Sequence, residues 1–102
     1  MLDQETKTKL TDLENVETIL RSITIQTSPR DTIDKIQFAF NYLYEHCDFE
    51  EADDAFVLLK AVLQTIEDSK TLPDNLHSYF LHDVKNRLWD AQRTLLTEAH
   101  ED

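Results

Sequence analysis

The chain has 102 residues and no glycine, where average usage of roughly 7% would give about seven. That absence excludes several catalytic devices at once. Phosphate-cradling loops, dinucleotide fingerprints, nucleophile elbows and EF-hand loops all use glycine for tight turns or close backbone approach. Basic residues are also scarce, with ten Lys and Arg against 21 Asp and Glu, for a formal net charge of −11. A nucleic-acid binder needs cations to neutralise phosphates and release counterions, so this balance argues against direct nucleic-acid contact. It argues equally against anionic membrane surfaces. There is no apolar run of the ~18 residues needed to cross a membrane. The single cysteine, Cys47, cannot form an internal disulfide. The opening Met1-Leu2-Asp3-Gln4-Glu5 has no signal-peptide pattern. Together these predict a reducing, cytoplasmic setting.

Hydrophobic residues make up 40% of the chain and aromatics 9%, which is too apolar for an acidic disordered segment. The length fits one helical domain over residues 1–102, with roughly the first nine residues open to fraying. Apolar spacing of three and four predicts four helices in a compact antiparallel all-α bundle with short connections. The first carries Leu10, Leu13, Val16, Ile19, Leu20 and Ile23. It starts either at Asp3 or at Thr11-Asp12-Leu13-Glu14, which reads as a capping box, and ends in the β-branched stretch 23–27. The second starts at Ser28-Pro29, with serine as cap and proline in the first turn. Its apolar face is Ile33, Ile36, Phe40, Leu43, Tyr44 and Cys47. The third starts at Asp48 and buries Ala52, Ala55, Phe56, Leu59, Val62, Leu63 and Ile66. The fourth starts at Thr71-Leu72-Pro73-Asp74, a second capping box, and continues through Leu76, Phe80, Val84, Leu88, Ala91 and Leu95. Without glycine, the helix ends must be closed by Asn, Ser, Lys or a 3₁₀ turn. The hairpin from Ile36 to Leu63 resembles a single tetratricopeptide repeat in the spacing of Ala52 and Phe56, but there is no second copy and Leu59 replaces the small residue. A generic αα-hairpin is the better description.

Charge is concentrated in one place. No Lys or Arg lies between Lys35 and Lys60, while Glu45, Asp48, Glu50, Glu51, Asp53 and Asp54 fall within ten residues. This stretch is either a docking patch for a basic protein partner or a solvated helix start favoured by the macrodipole. The neighbouring His46, Cys47, Asp48, Glu50 and Glu51 lack the i, i+3 or i, i+4 spacing of helical metal ligands, so no metal or other cofactor is expected. Cys47 falls on the predicted core face as a small hydrophobe.

On the last helix, His82, Lys85, Trp89, Arg93 and Leu96 cluster opposite the core stripe. Trp and Arg are enriched at interface hot spots. Trp89, Arg93 and Leu96 therefore form a second candidate contact surface, for a partner or a homodimer, unless the first helix covers them. Phe38 and Tyr42, away from the main face of the second helix, are expected to pack inside the domain. The string His82-Asp83-Val84-Lys85-Asn86-Arg87-Leu88 resembles the phosphoacceptor box of sensor histidine kinases and the His-x-Val-Lys motif of histidine phosphotransfer domains. The resemblance implies a phosphoacceptor imidazole at His82 with Lys85 beside the phosphate. It covers seven residues, Asn86 stands where those domains usually place a small residue, and only 20 residues follow the histidine. Of the other histidines, His77 points toward the core, His46 ends a helix and His100 lies in the tail. No nucleophile–base–orienter set is visible.

The reading is a small acidic non-catalytic interaction protein that binds and inhibits, neutralises or escorts a basic partner. Immunity proteins, antitoxins, nucleic-acid-mimicking inhibitors and secretion chaperones share this profile. The alternative is a histidine-phosphotransfer-like signalling protein.

Overall fold

Asp3 opens the first helix. In the computed structural model, which describes residues 3–101 and the side chains of 3–98, its carboxylate accepts the Thr6 N–H at 2.7 Å. α1 then runs Gln4–Arg21. The same hydrogen bond holds the exposed Asp3 carboxyl below its usual range. The alternative start at Thr11 is overturned, because Thr11–Glu14 lies inside α1 and Leu13 is fully buried. The polar residues before it are good helix formers, so the helix propagates back to the cap. At the other end, the Ser22 N–H bonds to the carbonyls of Thr18 and Ile19. Thr24 and Thr27 then close a turn on each other, with the Thr24 N–H donating to Thr27 Oγ1 at 2.9 Å.

α2 spans Pro29–His46, with Ser28 Oγ accepting the Asp31 N–H at 3.2 Å and proline in the first turn. The chain reverses across Cys47–Phe49 into a 3₁₀ turn, Glu50–Ala52, that leads directly into α3, Asp53–Ser69. Asp48 is therefore not a helix cap. The Ala52 N–H bonds to the Phe49 carbonyl instead, and neither the 3₁₀ turn nor α3 has a side-chain cap. The fourth start also differs from the expectation. Thr71 is engaged with Ser69 rather than capping. Helical structure resumes at a π turn, Leu76–Phe80, which runs into α4, Leu81–Glu101. Pro73 precedes it by three residues and uses its carbonyl to accept the Leu76 N–H.

The four helices pack in a ring, α1 against α2 and α4, with α3 between α2 and α4. Cross-contacts set antiparallel neighbours. Lys35, early in α2, reaches the Ser22 carbonyl at the end of α1, while Tyr42, late in α2, bonds to Asp12. The result is a compact four-helix bundle measuring 47 × 23 × 22 Å, with no strand among the described residues. Leu13, Leu20, Ile36, Leu43, Leu59 and Leu88 are buried to within 1%, each contributing about 1.5–3 kcal/mol of transfer free energy. Tyr44, expected on the core face, is exposed instead. It sits on the α3-facing edge of α2, where Phe40 and Phe56 already fill the seam.

Lys70 closes α3 in the left-handed region, at φ 62° and ψ 14°, and is the only described non-glycine residue with positive φ. Its Cβ crowds the backbone there. Lys70→Gly is expected to raise stability by about 0.5–1 kcal/mol, read as a higher urea midpoint and Tm with the m-value unchanged.

Candidate functional site

The antiparallel ring brings the start of α1, the end of α2, the start of α3 and the end of α4 to one pole of the bundle. All six carboxylates of the base-free stretch lie there. Glu50, Glu51, Asp53 and Asp54 line a cleft against α4, opposite Asp90 and Glu98, with Arg87 among them. Glu45, Asp48 and Asp53 border a second cleft between α2 and α3, beside Tyr44 and Phe56. Glu45 and Asp48 also face Glu5 and Asp12 of α1 across a third. Glu5, Asp12, Asp90 and Glu98 escaped the sequence reading because they are remote along the chain. The signal for them was the antiparallel order, which sets the first half of α1 and the second half of α4 beside the α2–α3 connection.

These six side chains have no ion-pair or hydrogen-bond partner among the described residues. Of the nearby cations, Lys7 is exposed in the first turn of α1 and three others pair with neighbouring acids. Lys9 pairs with Glu5 at 3.7 Å and lies 5.1 Å from the Phe49 ring centroid. Arg93 holds Asp90 at 3.0 Å, and Arg87 leans toward Asp83 at 3.6 Å, leaving its Nε without a hydrogen bond. The pole thus presents an excess of negative charge that the protein's own cations offset only in part. Asp53 and Asp54 gain from the α3 macrodipole, but Glu45 and Asp48 flank the C-terminal end of α2, where it opposes them.

The α4 stripe resolves differently. The Trp89 ring is 57% exposed, yet its Nε1–H donates to Glu17 Oε1 at 2.8 Å. Glu17 is only 6% exposed. It also accepts from Arg21 at 2.6 Å and from Gln92 at 3.4 Å. Trp89 is therefore a clasp between α1 and α4 as well as a surface ring. Glu17 was legible in principle, since Leu10, Leu13, Glu17 and Leu20 follow helical core spacing with a carboxylate in the series. Arg93 and Leu96 are both exposed.

Phe38 is exposed, which corrects the expectation that it packs inside. Tyr42 is half-buried and bridges α1 and α2, accepting from Asn15 at 2.8 Å and donating to Asp12 at 2.9 Å. The Asn15 bond pulls its phenol down, but desolvation and the Asp12 carboxylate outweigh it and leave it above its usual range. His82 is exposed in the first turn of α4, at the opposite end from the acidic pole, and Lys85 is half-buried. His77 is half-buried, and His46 packs against Tyr42 at 4.4 Å between ring centroids. The side chain of His100 lies outside the described residues. Among the described residues no three His, Cys, Asp or Glu side chains converge as metal ligands would.

Comparison with known proteins yields no family model, curated protein or solved structure that matches this chain.

Trp89→Phe keeps an aromatic ring but loses the indole N–H, removing one bond to a charged acceptor. With Arg21 and Gln92 still in place, the expected loss is about 1 kcal/mol, measured from urea midpoints.

Cys47 is buried, and burial, helped by the Asp12 charge, pushes its thiol up to about 12 from an ordinary value of 9.0. A raised folded pKa gives stability that is full below pH 9 and lost as pH rises toward 12, because only the unfolded thiol ionises in that window. Urea midpoints should fall more between pH 8 and pH 10.5 in the wild type than in Cys47→Ala.

Proposed function

We propose that this protein is a non-catalytic interaction module that docks a basic protein partner on its acidic pole and so inhibits, neutralises or escorts it. The observation carrying this reading is the set of six carboxylates at one pole, none paired within the protein. A net field of one sign accelerates encounter with the opposite sign and repels like charge. Anionic nucleic acids and membranes are disfavoured on the same grounds. The helical bundle supplies a rigid frame, so docking requires little reordering of the backbone. The field acts through solvent, so association should depend steeply on ionic strength.

The test is capture of a partner from lysate of the source cells, followed by association kinetics with that purified partner. Reversing Glu50, Glu51, Asp53 and Asp54 to lysine should slow association at least roughly tenfold at low salt, with a smaller effect at high salt. The amide variants Glu50→Gln, Glu51→Gln, Asp53→Asn and Asp54→Asn, combined, should give an intermediate rate. Helical circular dichroism checks that both proteins fold. Association that is unchanged in both, with folding intact, would overturn the reading.

A further inference from the structure

The cleft between the end of α2 and the start of α3 differs in kind from the rest of the acidic pole. Its walls include two aromatic rings, Tyr44 and Phe56, with centroids 6.2 Å apart and planes tilted by 31°. Phe40 stacks on Phe56 at 5.1 Å, which fixes the plane of the Phe56 ring. The floor is apolar, from Leu43 and the buried Cys47. Three carboxylates, Glu45, Asp48 and Asp53, stand at its border. The volume is about 540 Å³, within the ~300–1,000 Å³ of small-ligand clefts. Tyr44 is 66% exposed although it adjoins a packed seam, and its hydroxyl has no hydrogen-bond partner among the described residues.

We propose that this cleft receives an arginine side chain of the basic partner, with the guanidinium lying against Tyr44 and Phe56 and hydrogen-bonded to the bordering carboxylates. The inference rests on the docking reading above and names the chemistry that the site selects. Aromatic faces attract cations through their quadrupole. A guanidinium is flat, weakly hydrated and able to bond two carboxylate oxygens at once, so it gains from both walls and rim. An ammonium is compact and strongly hydrated, and gains mainly from charge. The cleft facing α4 has carboxylates without aromatic walls and an internal cation, Arg87, and so lacks this selectivity.

The probe is a short neutral-backbone peptide, acetylated and amidated, carrying two arginines, compared with its lysine and citrulline counterparts. Binding is followed by backbone amide NMR shifts of the intact protein at low ionic strength. Arginine-peptide shifts should centre on Tyr44, Glu45, Asp48, Asp53 and Phe56, with lysine binding roughly threefold weaker or more and neutral citrulline giving no shift. Tyr44→Ala should weaken arginine binding by roughly two- to fivefold and abolish the preference over lysine. Asp54→Asn, in the other cleft, should leave the preference intact. Equal arginine and lysine binding, or shifts centred on Glu51 and Asp90, would overturn the arginine cleft while leaving the charge-driven docking reading standing. Absence of any shift with either cationic peptide would overturn both.

Discussion

The whole arrangement hangs on how the chain reverses between α2 and α3. Cys47, Asp48 and Phe49 do it without glycine, through a bond from the Phe49 N–H to the Cys47 carbonyl at 2.9 Å and a following 3₁₀ turn. Two small buried side chains flank the reversal, Cys47 before it and Ala52 after it. Their size lets the two backbones approach, and their burial fixes the register of α2 on α3. That register brings Phe40 onto Phe56 and sets Glu45 and Asp48 beside Asp53. A longer connection would loosen both the aromatic seam and the juxtaposition of charges.

A second constraint closes the ring. α1 and α4 are the first and last helices, and the Glu17–Trp89 bond spans 72 residues of sequence. A buried carboxylate is costly unless its oxygens are satisfied. Here three donors converge on it, two from α4 and one from its own helix. The network specifies which face of α4 meets α1, which an apolar contact alone would leave freer to slide. It also explains how a tryptophan can be more than half exposed and still belong to the fold.

The apolar spacing made the four helices and most of the core legible, because burial of one stripe decides helix placement in a small domain. The α2 start was legible for a local reason, since Ser28 and Pro29 act on their own next few residues. The α1 start at Asp3 was one of two readings, and the alternatives that failed did so where tertiary context chose among local options. Thr11 has the pattern of a capping box but stands mid-helix, because Asp3 supplies an earlier cap and nothing between breaks the helix. Thr71 has the same pattern but turns back to Ser69. The base-free acidic stretch was legible as composition. Its company of Glu5, Asp12, Asp90 and Glu98 was not, because proximity between helices follows from topology rather than spacing. Tyr44 was misjudged because a residue at the edge of an apolar arc goes in or out according to its neighbours, and Phe40 and Phe56 already occupy the seam.

The pole is also where the sequence departs most from what stability alone would select. Negative charge belongs at helix N-termini and positive charge at C-termini. Asp31, Asp53 and Asp54 obey that rule. Glu45 and Asp48 at the end of α2 and Glu98 near the end of α4 break it, and they crowd against acids that already repel them. The opposite pole mixes both signs, with Arg21, Arg30, Lys35 and Lys70 near Asp31, Asp34, Glu67 and Asp68. A general need for solubility would spread the excess over both poles. Concentrating it at one pole, with part of it beside the C-terminal ends of α2 and α4, adds repulsion that costs folded-state stability, and a cation from outside the protein relieves that cost. Departures from local rules of this kind are expected where a surface answers to function, and here they coincide with the exposed aromatic edge of Tyr44.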